Sequence, residues 1–193
     1  MKPRSQSRSL LALILCVSFS RANAQPFYAF EYESNEKRAT HQTSASVATT
    51  LGYQTVDGDE YSLKVGISQP SLGHGQLSEG LEAQAKMPFL ANDRYTPYAV
   101  FGLGEKIKPT EHFAFYYAGT GVKLPVTGAS SADIGIVSSN AFDPDRRIRT
   151  TRLHAALSFS LSHSDSINFR AARSFGVASE EKDSLRVMYA RAF

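Results

Sequence analysis

The sequence has a single cysteine, Cys16, no tryptophan, and no apolar run longer than the ten residues Leu10 to Phe19. Each absence removes a class of protein. One cysteine forms no intramolecular disulfide, so a small secreted disulfide scaffold is excluded. A ten-residue apolar run is half of the roughly 20 residues that a membrane-spanning helix needs. There is no HExxH spacing for a metal on a helix. Gly102-Leu103-Gly104 lacks the third glycine and the following helix of a dinucleotide-binding turn. Its expected role is close strand packing or a bend. The composition thus points to no cofactor and no metal.

What is present begins with residues 1–24, which have the order of a secretory signal peptide. Lys2, Arg4 and Arg8 form a basic start, Leu10 to Phe19 an apolar stretch, and Ala22-Asn23-Ala24 an A-x-A cleavage site. The expected mature chain, residues 25–193, then has no cysteine and no thiolate chemistry. It also loses four of the 21 Lys and Arg, and none of the 18 Asp and Glu, which leaves 17 basic against 18 acidic residues. The overall pI of 9.0 is therefore a property of the leader and no sign of nucleic-acid binding.

Beyond the leader, the dominant signal is strict alternation over stretches of about ten residues. In Arg152 to Ser162, Leu153, Ala155, Leu157, Phe159 and Leu161 form one row, and Arg152, His154, Ser158, Ser160 and Ser162 the other. Similar stretches run from Phe27 to Glu33, Thr43 to Gln54, Tyr61 to Gln69, Ser78 to Phe89 and Ile167 to Phe175. Less clean ones cover Tyr95 to Gly104, Phe113 to Leu124 and Ala132 to Ser138, and a terminal one ends at Phe193. The pattern predicts an all-β chain: an antiparallel up-and-down transmembrane β-barrel of about 10 strands, with eight if weak segments merge. Only a closed barrel pairs every backbone group when strands cross lipid.

Four short, turn-rich connections (Val56 to Glu60, Ala91 to Arg94, Val126 to Ser130, His163 to Asp165) alternate with stretches around Lys37, Gly73, Pro109, Asp145 and Glu180. The second set reads as about 8–12 residues each, the length asymmetry of barrels with short periplasmic turns. Tyr53, Tyr61 and Phe89 end apolar rows, as residues of an aromatic girdle do.

Pro97-Tyr98-Ala99-Val100-Phe101-Gly102-Leu103-Gly104 resembles the Pro-Tyr…Gly-x-Gly strand of small OmpA-like barrel domains. Tyr117-Ala118-Gly119-Thr120-Gly121-Val122 and the terminal strand with Phe193 continue the likeness. The resemblance implies a small outer-membrane barrel of a Gram-negative envelope, non-enzymatic, with a structural or surface-interacting role. It also implies that Tyr189 and Phe193 belong to the segment read by the barrel-assembly machinery. The family favours an aromatic residue where Arg191 stands. Arg191 can instead snorkel to headgroups.

Three other readings compete. A narrow porin-like channel would use the same polar row as its lining. A periplasmic lipocalin-like barrel would turn the apolar row inward, although the chain lacks the tryptophan usual near a lipocalin's first strand. An outer-membrane lipid-modifying hydrolase would need a His beside a Ser, oriented by an acid. Ile136 and Val137 stand two residues before Ser138 and Ser139, where a His would be, His154 has Ala156 two residues on, and His163-Ser164-Asp165 falls in a turn. His41, His74 and His112 fall in separate connections. No catalytic residue is assigned.

The expected lumen-facing polar set is Glu31, Glu33, Lys64, Glu82, Lys86, Arg152, His154, Arg170 and Arg186. Mixed charges in a narrow space are expected to pair and block the bore. Arg146, Arg147 and Arg149 lie where they would meet lipopolysaccharide phosphates, to which arginine forks are suited. Outer-membrane lipid and lipopolysaccharide are the expected surroundings, nucleic acid is not a partner, and a monomer is favoured.

Overall fold

A computed structural model describes residues 24–70, 77–90, 94–108, 111–143, 149–176 and 181–193. The expected leader lies outside these residues except for Ala24. Ten strands follow one another: β1 Gln25–Lys37, β2 Gln42–Gln54, β3 Glu60–Pro70, β4 Ser78–Pro88, β5 Thr96–Lys108, β6 Glu111–Thr127, β7 Ser130–Ala141, β8 Arg149–Ser160, β9 Asp165–Gly176 and β10 Lys182–Ala192. Each pairs antiparallel with its sequence neighbours, and β1 pairs with β10 to close the barrel. The count is ten, so the weakly alternating segments are strands in their own right.

The start of β1 and the end of β10 lie at one end, where the Phe193 amide donates to the Pro26 carbonyl and the Ala192 amide to that of Ser164. Prolines fall where a missing N–H matters least. Pro26 and Pro97 are second in their strands, and Pro70 and Pro88 are last. Pro125 stands at the register shift of β6 against β7. Gly58, at φ 87°, turns the 55–59 connection. That connection is held by the Thr55 amide on the Asp59 carbonyl and the Asp59 amide on Thr55 Oγ1.

Between strands, the connections are two to seven residues long at both ends of the barrel. The expected 8–12-residue connections at one end are thus a misreading. The β1–β2 ladder continues to Lys37 opposite Gln42, and the β5–β6 ladder to Lys108 opposite Glu111. Residues read as loop are absorbed into paired strand, His112 among them.

Along most of the clean strands alternation becomes sidedness, although Tyr53 and Ala83 of the apolar rows are buried and Ser160 of the polar row is exposed. Leu153, Leu157 and Phe159 are exposed on the outside while His154 between them is 7% exposed. Val65 and Ile67 are likewise outside, and so are Phe30, Tyr32, Ile134, Ile136, Phe169, Leu185 and Val187. Tyr53 and Tyr61 sit opposite one another in register near the terminal end and stack at 5.1 Å. A lipocalin-like barrel requires the reverse orientation, and this chain does not have it.

Inward glycines do a specific job. Gly102, Gly104 and Gly121 stand directly opposite Tyr117, Phe115 and Tyr98 in register. A Cβ at Gly102 would come within 2.1 Å of the Tyr117 ring, and one at Gly104 within 2.3 Å of Phe115. Each glycine is a flat on which a cross-strand ring lies, so rings fill part of the bore. The Gly-x-Gly of β5 is a packing device, as its lack of a phosphate-loop context implied.

Gly102→Ala is expected to destabilise the folded barrel by about 1–3 kcal/mol through overpacking against Tyr117. Gly80→Ala, where nothing lies within 4 Å of the added carbon, is expected to be close to neutral. Thermal unfolding followed by heat-modifiability on gels compares the two.

Candidate functional site

The inward row of β1 places Glu31 and Glu33 on one face, two residues apart, beside the seam with β10. Arg186 is the register partner of Glu33 across that seam. Its guanidinium donates from Nη2 to Glu33 Oε2 at 2.7 Å, from Nε to the same oxygen at 3.0 Å, and from Nη1 to Glu31 Oε2 at 3.2 Å. Glu33 also accepts from Arg152 of β8, which reaches Ser184 Oγ at 3.3 Å. Lys64 of β3 completes the cluster on the other oxygen of Glu31. Five charges from four strands are thereby joined, with Glu31 and Glu33 both buried.

A second cluster occupies the wall made by β4, β5, β7 and β8. Asp133 accepts from Tyr98 Oη at 2.8 Å, from His154 Nε2 at 2.9 Å and from Lys86 Nζ at 3.3 Å. The Lys86 ammonium also sits 3.8 Å from the centroid of the Tyr98 ring, a cation–π contact. Three side chains from three strands converge on the one carboxylate of Asp133. Asp133 and Tyr98 were absent from the sequence-derived set. The signal for Asp133 was available: it alternates with Ile134 and Ile136. Tyr98 was hidden because tyrosine reads equally well on either face.

Glu82 and Arg170 are the two members of the expected set without an ion pair among the described residues. The register partner of Glu82 is Lys64, whose ammonium turns to Glu31 instead. Among the described residues, the lumen holds two cavities of about 240 and 290 Å³. Four residues line both: Glu31, Lys64, Glu82 and Arg186. These four charged residues form a septum between the two cavities.

At the rim away from the termini, Arg38 pairs with Glu181 at 3.2 Å and Asp183 with Arg173 at 2.7 Å. His41 pairs with Glu36, and His112 with Glu105. Arg149 is exposed at the start of β8, on this same end. Arg146, Arg147 and His74 lie outside the described residues. In the terminal strand, Tyr189 donates its hydroxyl to Asp165, and Phe193 packs 5.3 Å from the Tyr28 ring. The His163-Ser164-Asp165 stretch assembles no nucleophile. Ser162 Oγ donates to Asp165 Oδ2 at 2.6 Å and accepts from the Asp165 amide at 3.0 Å, which closes the turn. Among the described residues, no group of three or more His, Cys, Asp or Glu is placed to hold a metal.

No family model matches the chain, and no curated protein matches it in sequence. Similarity appears at the level of solved structures. An outer membrane channel from Pseudomonas putida F1 superposes with a TM-score of 0.57 at 11% identity, over 90% of this chain and 97% of the other. The translocator domain of the autotransporter NalP from Neisseria meningitidis superposes with a TM-score of 0.53 at 12% identity, over 97% of this chain and 95% of the other. The chain has the fold of outer-membrane β-barrels. The narrower OmpA-like resemblance remains an expectation from the motifs alone.

Glu33→Ala strips one carboxylate from two guanidinium groups at once. It is expected to cost about 3–5 kcal/mol of stability, the scale for breaking a buried pair by removing one partner. Glu82→Ala, with no ion pair within 4 Å to lose, is expected to cost clearly less. Denaturant unfolding in detergent micelles measures both.

Proposed function

We propose that this chain is a non-enzymatic barrel of the Gram-negative outer membrane, with a structural or surface-interacting role and a lumen closed to free ion flow. One observation carries the reading: most lumen charges are inside and paired, while Leu, Ile, Val and Phe are outside and bare. Leu157 is 49% and Leu185 68% exposed. Water gives such an outer surface no stabilisation, and a hydrocarbon belt does. The Glu31–Lys64–Glu33–Arg186–Arg152 cluster supports closure, because its side chains hold one another across the bore.

The partners follow from the same reading. Lipid surrounds the apolar belt, Arg149 with Arg146 and Arg147 meets lipopolysaccharide phosphates, and Tyr189 with Phe193 serves the barrel-assembly machinery. A monomer satisfies every strand edge by closure.

A narrow channel is the second reading, favoured by the two cavities that meet at only four residues. Planar-bilayer recording at neutral pH separates the two. The purified protein is expected to show little or no conductance. Stable, ion-selective conductance of the unmodified protein would establish the channel instead.

The membrane assignment has its own test. Leu153→Arg places a charge on the outer face near the middle of β8. It is expected to destabilise the inserted barrel by about 2–4 kcal/mol, seen as reduced recovery in the outer-membrane fraction. Unchanged recovery and heat-modifiability would contradict a lipid-facing Leu153.

A further inference from the structure

Arg170 is the one cation of the expected lumen set without an ion pair to a described residue. It lies on the inward row of β9, between buried Asn168 and Ala172, while Phe169 and Ala171 face out. Directly across from it on β10 is Arg186. Like charges opposite one another on one face of a sheet repel. Arg186 is compensated by Glu31 and Glu33. The Arg170 side chain makes no hydrogen bond or ion pair with any described residue, and its Nε is buried without an acceptor. Asp133 is near enough for its charge to act on Arg170. Its oxygens, however, are already taken by Tyr98, His154 and Lys86.

A guanidinium carries five N–H donors in a planar fork and does not lose its charge. Leaving it unpaired in a barrel interior is costly. Arg170 and Arg186 both line the cavity of about 290 Å³, which reaches the terminal end at Gln25, Gln54 and Ser164. The hydroxyls of Ser62, Ser166 and Tyr117 line it too.

We propose that this cavity is a binding site for a small oxyanion, a carboxylate or a phosphate, seated on the Arg170 fork. The cavity's own carboxylates set the limits. Glu31 is neutralised by Lys64 and Arg186. Glu60 and Glu82 stand on the β3–β4 wall, opposite Lys86 and Lys64 in register, whose ammonium groups pair with Asp133 and Glu31. These acids leave the β9 wall as the positive side of the space, so the ligand is small and singly or doubly charged rather than a polyanion. The site depends on the barrel reading for its lumen and is independent of whether the lumen conducts.

The test uses the full barrel folded in an uncharged detergent. Sodium acetate and inorganic phosphate are each titrated against chloride at matched ionic strength, and the thermal midpoint is read by circular dichroism. A saturable rise in the midpoint is expected with at least one of the two. Arg170→Met is expected to fold, to start from a midpoint at or above that of the unmodified protein, and to lose the rise. Arg170→Lys keeps the charge without the fork, and its half-saturation is expected at a concentration at least tenfold higher. Lys182→Met, which alters the other cavity, should leave the rise intact. No saturable rise with either anion on the unmodified protein overturns the site whatever the variants do. An undiminished rise in Arg170→Met overturns it as well. A barrel that folds and shows strand-rich dichroism but binds neither anion refutes the site and leaves the barrel assignment standing.

Discussion

The seam between β1 and β10 is the constraint on which the rest of this structure depends. A chain of ten strands has two edges, and unpaired edge amides have no partner in hydrocarbon. The first and last strands pair over eleven positions, from Phe27 opposite Ala192 to Lys37 opposite Lys182. The same pairing delivers Glu33 to Arg186, so the strongest charge cluster in the lumen is also a clasp on the closing ladder. Backbone pairing and charge pairing therefore reinforce one register. A slip of β10 by one residue against β1 would turn Arg186 outward and Val187 inward, and so part Arg186 from Glu33.

Closure at ten strands leaves a bore that must be filled or lined. This chain uses two devices. Rings of Tyr98, Phe115 and Tyr117 lie over glycines of the neighbouring strand, which brings aromatic bulk close to the wall. Charges then cross the remaining space in two clusters, one on the seam and one on Asp133. What stays open is two cavities separated by the septum of Glu31, Lys64, Glu82 and Arg186. Stability and permeability are thus set by the same side chains, because each ion pair that holds two walls together also occupies the path between them.

The clean strands were readable because one face is apolar and the other polar, as in Leu153 to Ser160. The less clean ones were obscured by the packing just described. In β5 and β6, Tyr98 and Tyr117 face in while Phe101 and Tyr116 face out, so both rows look aromatic and period two disappears. The length of the connections was misread for a different reason. Polar residues such as Glu36, Lys37 and Lys108 look like loop, yet they continue the ladders beyond the apolar belt.

The sequence by itself determined that strands form, which residues share a face, and that one face carries the charges. Those follow from side-chain chemistry at a spacing of two, which needs no knowledge of partners. Only the tertiary structure decided which row faces out, since alternation is symmetric between a barrel that hides its apolar face and one that displays it. It also decided the charge pairing. Arg152 finds Glu33 at a separation of 119 residues and Lys86 finds Asp133 at 47, and Arg170 is left opposite Arg186 with its Nε buried and without an acceptor. Such pairings are set by closure, because a ring brings distant strands to face each other across one lumen.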